Sequence, residues 1–440
     1  MKNIATIAFL CALLILSSDV WAQRGSHKAK GNASPSVIIV DDEACGCELV
    51  FIDGIQTTES NGLFGFKKAD GTILVEPQYK FVDKFKDGFC VVLRDYYHYG
   101  LINREGKEIL PCDFQEVVSP TEGLVRVKKG DLYGFYDTTG REVIPTTFAA
   151  ASAFSEGLAV VAIQPDTTLA GIYGYIDHSG HFTIAPQYQY AYPFNEGRAV
   201  VKSYDRYGLI DAHNNIILPC KYENLSSVDE GRCFANFEYS PLYAMFDGNG
   251  RQITPFLYEN IFSFGEGFYT VLRDGKYTFL DVRGKEHFGD YDRAGGFVNG
   301  YCFVARNGKY GIIDTRGRQT LPLEYDNSGY RSEEYQFFEG LALVEKDGRY
   351  GFVDTKGKIV IPLIYESGYH FTEGIVPVKK DGKWGYIDHD GKIVIPFLFD
   401  AASFFTYGRA EVMYKNTIFK INPHGQCLKN CSKFPHISTF

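Results

Sequence analysis

The groups able to do chemistry in this 440-residue chain are ten cysteines, ten histidines and 54 acidic residues, and their spacing decides what they could do. Cys90, Cys233 and Cys302 each stand two residues after a glycine, in a slot that elsewhere holds Ala159, Ala199, Ala342, Ala410, Val125 or Val376. A thiol that alternates with alanine and valine is expected to be a small buried apolar group, not a nucleophile. Cys112 and Cys220 share a second slot, directly after Pro111 and Pro219. No histidine accompanies these five at zinc-type spacing, so no metal and no cofactor is expected. Cys45, Cys47, Cys427 and Cys431 lie outside the pattern and are the disulfide candidates of an exported chain, with Cys427–Cys431 the expected pair. A bond between the two groups would instead need the chain ends to meet in a closed ring.

The carboxylates are as regular as the thiols. Asp-x-x-Gly recurs at Asp137/Gly140, Asp177/Gly180, Asp247/Gly250, Asp281/Gly284, Asp314/Gly317, Asp354/Gly357 and Asp388/Gly391. A calcium loop needs further oxygen ligands, whereas Lys392 and an apolar run follow Asp388-His389-Asp390-Gly391. The spacing fits a turn in which aspartate caps backbone amides and glycine takes a left-handed conformation. Asn214 replaces glycine after Asp211, and asparagine best tolerates that conformation. A second series, Glu122, Glu156, Glu196, Glu230, Glu266, Glu339 and Glu373, precedes another repeated glycine and reads as turn chemistry copied by duplication. No nucleophile elbow, phosphate loop or acid–base cluster is present, so an enzyme is not expected.

These groups are positioned by a repeat. Gly65, Gly100, Gly134, Gly174, Gly208, Gly311, Gly351 and Gly385 each follow an aromatic residue, except that Ala244 and Thr278 fill the glycine slot in the sixth and seventh copies. Ten copies of 33 to 40 residues span about residues 61–415. Each reads as strand, turn, strand, turn, strand, then a proline and an irregular connection, because apolar and polar residues alternate with period two. The 46 glycines, 31 tyrosines and 35 phenylalanines are largely this unit repeated.

Aromatic-Gly, a β-branched residue, Asp, a Gly-Lys or Gly-Arg turn, an apolar strand, proline and a later Phe-x-Glu-Gly resemble the WG repeat family, here with Trp384-Gly385 and mostly Tyr-Gly elsewhere. The resemblance implies a bacterial repeat scaffold serving as an interaction module. The expected fold is all-β, with three-stranded meanders in an open superhelical, solenoid-like stack; ten blades exceed the usual size of a closed propeller-like ring.

Lys2, the apolar run from Ile4 to Leu16, and Val20-Trp21-Ala22 read as a signal peptide over residues 1–22. Residues 23–60 follow as a polar linker and capping segment, and residues 416–440 as a carboxy-terminal capping segment. The expected product is a secreted or periplasmic protein with no transmembrane segment after cleavage, and its net charge of −9 argues against a nucleic-acid partner. The expected function is non-catalytic binding of a protein or peptide in the cell envelope, with a glycan as the alternative ligand. Two insertions, at 164–171 and 327–335, lengthen loops on a rigid scaffold, which makes Asp166, Leu169, Tyr330, Arg331 and Tyr335 the candidate contact residues.

Overall fold

The structure, a computed structural model, describes residues 37–42, 47–52, 54–163, 172–326, 337–406, 408–428 and 431–435, and for residues 37–52, 263 and 264 it describes the backbone alone. One sheet shows how the repeat folds. Residues 116–148 form four antiparallel strands, Glu116–Val117, Leu124–Lys129, Leu132–Asp137 and Glu142–Phe148. Between the last two, Asp137 Oδ1 accepts the amides of Thr139 at 2.9 Å and Arg141 at 3.0 Å, and Gly140 takes φ 91°. The turn chemistry read from Asp-x-x-Gly is thus the turn that forms.

The aromatic-Gly pair has a different cause. The fourth strand bulges across the third, with register shifts around Phe135. A Cβ on Gly134 would lie 2.7 Å from both the Ile144 carbonyl oxygen and the Thr146 nitrogen. Glycine is required there by the neighbouring backbone, not by its own φ. Proline in the bulged strand, here Pro145, removes an edge donor and blunts pairing with further strands.

The copies that lack the glycine confirm this account. Where Thr278 replaces it, the fourth strand carries Gly289 instead, and a Cβ on Gly289 would meet Thr278 Oγ1 at 2.6 Å. The small residue has crossed to the other strand. Where Ala244 replaces it, the fourth strand leaves the ladder, and isolated bridges Tyr243–Tyr258 and Phe246–Gln252 remain. Met245 N then donates to Thr254 Oγ1 at 2.9 Å.

Eleven sheets follow one another along the chain. We number them as blades: blade 1, 37–79; blade 2, 81–114; blade 3, 116–148; blade 4, 150–188; blade 5, 190–222; blade 6, 224–247; blade 7, 260–291; blade 8, 293–325; blade 9, 341–365; blade 10, 367–399; and blade 11, 401–421. Two differences from the ten-copy count have physical reasons. A two-residue strand such as Glu116–Val117 is too short to show alternation, yet it opens each typical blade, so the blade boundary falls inside the sequence unit. Blade 11 closes on Thr417–Ile421, where Phe419 pairs with Val412 in the slot that Gly385 fills opposite Val378. Among the described residues no bulged fourth strand crosses Phe419, and this large side chain is buried. After the Asn422–Gly425 turn, Cys427 bonds to Cys431 and the Phe434 ring lies 5.2 Å from that of Phe419.

Consecutive blades pack face to face. Leu124, Phe135, Ile144 and Phe148 of blade 3 meet Phe154, Ala159, Val161 and Ile176 of blade 4 in one buried cluster. Ten such clusters join each blade to the next, from blade 1 to blade 11. Each cluster holds at least one phenylalanine or tyrosine from a periodic position, among smaller apolar residues, as a repeat that cannot bury its face alone requires. The expected open stack is corrected: the eleven blades form a closed propeller ring, and Arg409 of blade 11 meets Glu59 of blade 1 at 3.2 Å. Stack and ring bury the same faces between neighbours. They differ only in the small rotation added per blade, which sheet twist and splay set and a unit's pattern does not reveal.

Candidate functional site

The sequence-selected residues fall into three groups. Asp166, Leu169, Tyr330, Arg331, Tyr335 and Cys45 lie outside the described residues, and Cys47 is described in its backbone alone, within the strand Cys47–Ile52. Cys427 and Cys431 are the disulfide beyond blade 11. The five cysteines in the repeat slots, Cys90, Cys112, Cys220, Cys233 and Cys302, are free thiols within the blades. Burial pushes the Cys90 and Cys233 thiols up to about 12 and Cys112 to about 11, and raises Cys220 and Cys302 as well. A thiol so shifted is protonated at neutral pH and is a poor nucleophile. Cys90 Sγ instead donates weakly to the Asp83 carbonyl at 3.1 Å, which suits a core residue. Among the described residues, no cluster of three or more His, Cys, Asp or Glu could hold a metal ion.

The strands end on two rims with different chemistry. One rim carries the Glu-Gly and Asp-x-x-Gly turns, and there the carboxylates are used between blades. Glu122 accepts the Gly157 amide at 3.0 Å, Glu156 that of Gly197 at 2.8 Å, and Glu373 that of Gly408 at 2.9 Å. Glu196 takes two amides, Glu230 at 2.9 Å and Gly231 at 2.7 Å. The glutamate series is therefore more than a local turn: Glu122, Glu156, Glu196, Glu339 and Glu373 each staple one blade to the next. Two histidines join in the same way. His178 stacks on Phe154 and reaches Glu122 at 3.0 Å, and His389 stacks on Phe371 and reaches Glu339 at 2.9 Å.

The other rim carries the hairpin tips between the second and third strands. In most blades the tip is tight, and the residue after the repeated aromatic caps it. Gln115 accepts the Gly130 amide at 2.6 Å, Glu259 that of Gly275 at 3.0 Å, Glu366 that of Gly382 at 3.1 Å and Asp400 that of Lys415 at 2.8 Å. Blades 2, 4 and 6 break the rule. Their capping slot holds Lys80, Ala149 and Glu223; the first two have no acceptor, and Glu223 pairs with Arg206 Nη1 at 3.1 Å.

Tyrosines stand on the tips of blades 2 and 6 and on that of blade 5. Tyr96 and Tyr97 (blade 2), Tyr204 (blade 5) and Tyr239 (blade 6) are 79%, 72%, 88% and 96% exposed. Three of them, Tyr97, Tyr204 and Tyr239, have φ of 71°, 49° and 63°. That region favours glycine or asparagine and penalises a large side chain. Sequence reasoning missed these residues because it treated tyrosine as core. The signal was available: Asp95-Tyr96-Tyr97-His98, Tyr204-Asp205 and Glu238-Tyr239-Ser240 stand where other copies read Asp-Gly or Asn-Gly.

Ten matches to the WG containing repeat model cover residues 64–96, 99–133, 133–163, 173–206, 207–238, 243–277, 289–310, 310–350, 350–384 and 384–417. No curated protein matches the chain. Among solved structures, the chain is similar to a eukaryotic initiation factor at 10% identity and TM-score 0.38, covering 80% of this chain and 96% of that one. The dihydro-heme d1 dehydrogenase NirN gives 13% identity and TM-score 0.30 over 64% of this chain and 72% of that one. BamB from Moraxella catarrhalis gives 10% identity and TM-score 0.27 over 63% and 92%. Likenesses this low say nothing of function. The repeat matches, which cover most of residues 64–417, do identify the lineage: the chain belongs to the WG containing repeat family.

Proposed function

We propose that this protein is a non-catalytic binding scaffold, exported to the bacterial cell envelope, whose hairpin rim contacts a protein or peptide. The observation that carries this reading is how the reactive groups are used. Of the five described free thiols, four are buried in the blades and Cys220 is half-buried, and the repeated carboxylates hold turn amides or staple neighbouring blades. A rigid ring with one rim of exposed tips remains as the surface for recognition. The second reading is a glycan, which would stack on exposed rings such as Tyr204 and Tyr239.

A cross-linking capture from envelope extracts with the intact chain tests the proposal. Capture of a defined protein that purified chain also binds is the expected result. Retention of polysaccharide alone would favour the second reading, and turnover of a substrate would overturn both. Cell fractionation checks the export half separately, with the chain expected outside the cytoplasm and shortened after Ala22.

A further inference from the structure

We infer that the arc of hairpin tips on blades 2, 5 and 6 is the docking surface for a folded protein that supplies uncharged pockets, with Tyr96, Tyr97, Tyr204 and Tyr239 as the inserted anchors. This rests on the binding reading above and names its surface and partner type.

Three independent observations converge on the arc. The first is strain: Tyr97, Tyr204 and Tyr239 occupy left-handed φ, as does Lys415 of blade 11, where Asn307, Asp347 and Asp381 or glycines sit in blades 8, 9 and 10. A tip selected only for folding would carry asparagine, aspartate or glycine. The second is the capping slot, which lacks an acceptor in blade 2 and is diverted in blade 6, while the blade 5 tip keeps its cap from Gln189 at 2.7 Å. In blade 2 Lys80 Nζ lies 4.4 Å over the Tyr96 ring, and in blade 6 Glu223 pairs with Arg206. The third is charge. Asp95 pairs with His98, Arg94 with Glu108, Lys202 with Asp205, and Arg206 with both Glu223 and Glu238. The carboxylates and guanidinium groups on these tips are matched within the chain and the Lys80 ammonium rests on the Tyr96 ring, which leaves the tyrosines as the groups presented outward.

The shape selects the class of partner. A sugar or short peptide is held in a concave cleft that covers most of it. These tyrosines protrude, and their exposure of 72% to 96% leaves no wall around them. The concavity must come from the other molecule. Tyrosines on turn tips above a rigid β framework are the physical solution used where one folded surface reads another, because each ring brings large area at small entropic cost.

The experiment uses the intact exported chain with a photo-crosslinking phenylalanine analogue at 96, 204 or 239, and for comparison at 307, 347 or 381. One protein cross-linked from all three tyrosine tips, and from none of the comparison tips, is expected. That protein, purified, should bind the wild-type chain and lose roughly a hundredfold or more in affinity for Tyr96→Asn/Tyr97→Asn/Tyr204→Asn/Tyr239→Asn. The variant's melting temperature should hold or rise, since asparagine suits the left-handed tips. Loss of binding with a fallen melting temperature would overturn the anchor role. If a purified partner binds the fourfold variant as well as wild type, the arc is refuted while the binding reading stands. If no tip cross-links protein and a panel of soluble polysaccharides is retained, both fall.

Discussion

The ten junctions between consecutive blades and the single seam between blade 11 and blade 1 use opposite chemistry at equivalent positions. On the face a blade turns toward its successor, Val91, Val160, Val200 and Phe303 pair across the strands with Leu101, Tyr175, Leu209 and Ile312, all buried. In blade 11 the same pair is Glu411 and Lys420, both exposed and 3.8 Å apart. On the face turned toward the predecessor, blade 2 places Cys90, Val92 and Ile102, each 0% exposed. Blade 1 places Gln56, Thr58 and Lys67 in those slots. The staples change as well. Arg198 and Arg232 donate to carbonyls in the next blade's turn, Gly248 and Val282, whereas Arg409 pairs with Glu59. Residue 407, in the stapling glutamate's slot, is tyrosine.

The difference teaches how one repeat can build both a core and a closure. Internal faces are apolar because each is always covered by its neighbour along the chain. The two terminal faces are polar, so each end can stay soluble until they meet. Closure then adds little stability, and the ring's strength resides in the ten covalently consecutive junctions.

The largest effect should come from breaking an internal junction. Phe135→Ala empties a fully buried site between blades 3 and 4, and its cost in chemical denaturation is expected at about 3–5 kcal/mol. A loss near zero would mean that the junction clusters do not hold the ring. Rewriting the seam in the internal pattern sharpens the contrast. Glu411→Val and Lys420→Leu with Gln56→Val and Lys67→Ile should stabilise a monomeric ring by about 1–3 kcal/mol. Concentration-dependent association in sedimentation, with no gain in stability, would show that the two faces do not meet.

A pH-dependent contrast is smaller. The Asp137 carboxyl is held down at about 2, first by the Thr139 hydroxyl and then by turn amides; Asp177 and Asp211 are lowered by Ser179 and Asn215. A lowered folded-state value means that this stabilisation is complete above the ordinary aspartate value of 3.8 and is lost as pH falls through the folded value. Blade 11 carries Asn422 in the slot, accepting the His424 and Gln426 amides without titrating. Hydrogen exchange between pH 4 and 2 should therefore show the turns of blades 3, 4 and 5 loosening while Asn422–Gly425 keeps its protection. Equal loosening would refute the capping account. The smallest effect belongs to Arg409→Ala. An exposed ion pair contributes less than about 1 kcal/mol, and removing it should leave the melting temperature within a degree or two.

Much of the blade was legible from residues. Asp137/Gly140 and its copies announced the turn, and the alternation of Cys90 with alanine and valine announced a core thiol. Four features were hidden for physical reasons. Glu-Gly looked like a local turn because its acceptor role is toward an amide about 35 residues away in sequence, as with Glu122 and Gly157. Phe419 concealed the eleventh copy, although Asn422 and Gly425 keep the turn 34 residues after Asp388 and Gly391. The exposed tyrosines were masked by their own abundance, since Tyr175 and Tyr258 are as buried as Tyr204 and Tyr239 are exposed. Polar Gln56, Lys67, Glu411 and Lys420 read as ends, and ends that meet look in sequence like ends that do not.

Ring closure across that polar seam is the central claim, and a distance measurement tests it most directly. Spin labels introduced as unnatural amino acids at Asn61 and Thr406, both exposed and each close in sequence to Glu59 or Arg409, would report by pulsed dipolar spectroscopy. The closed ring predicts one narrow distribution at short distance in the intact chain. A distribution centred far beyond the separation of neighbouring blades would contradict it.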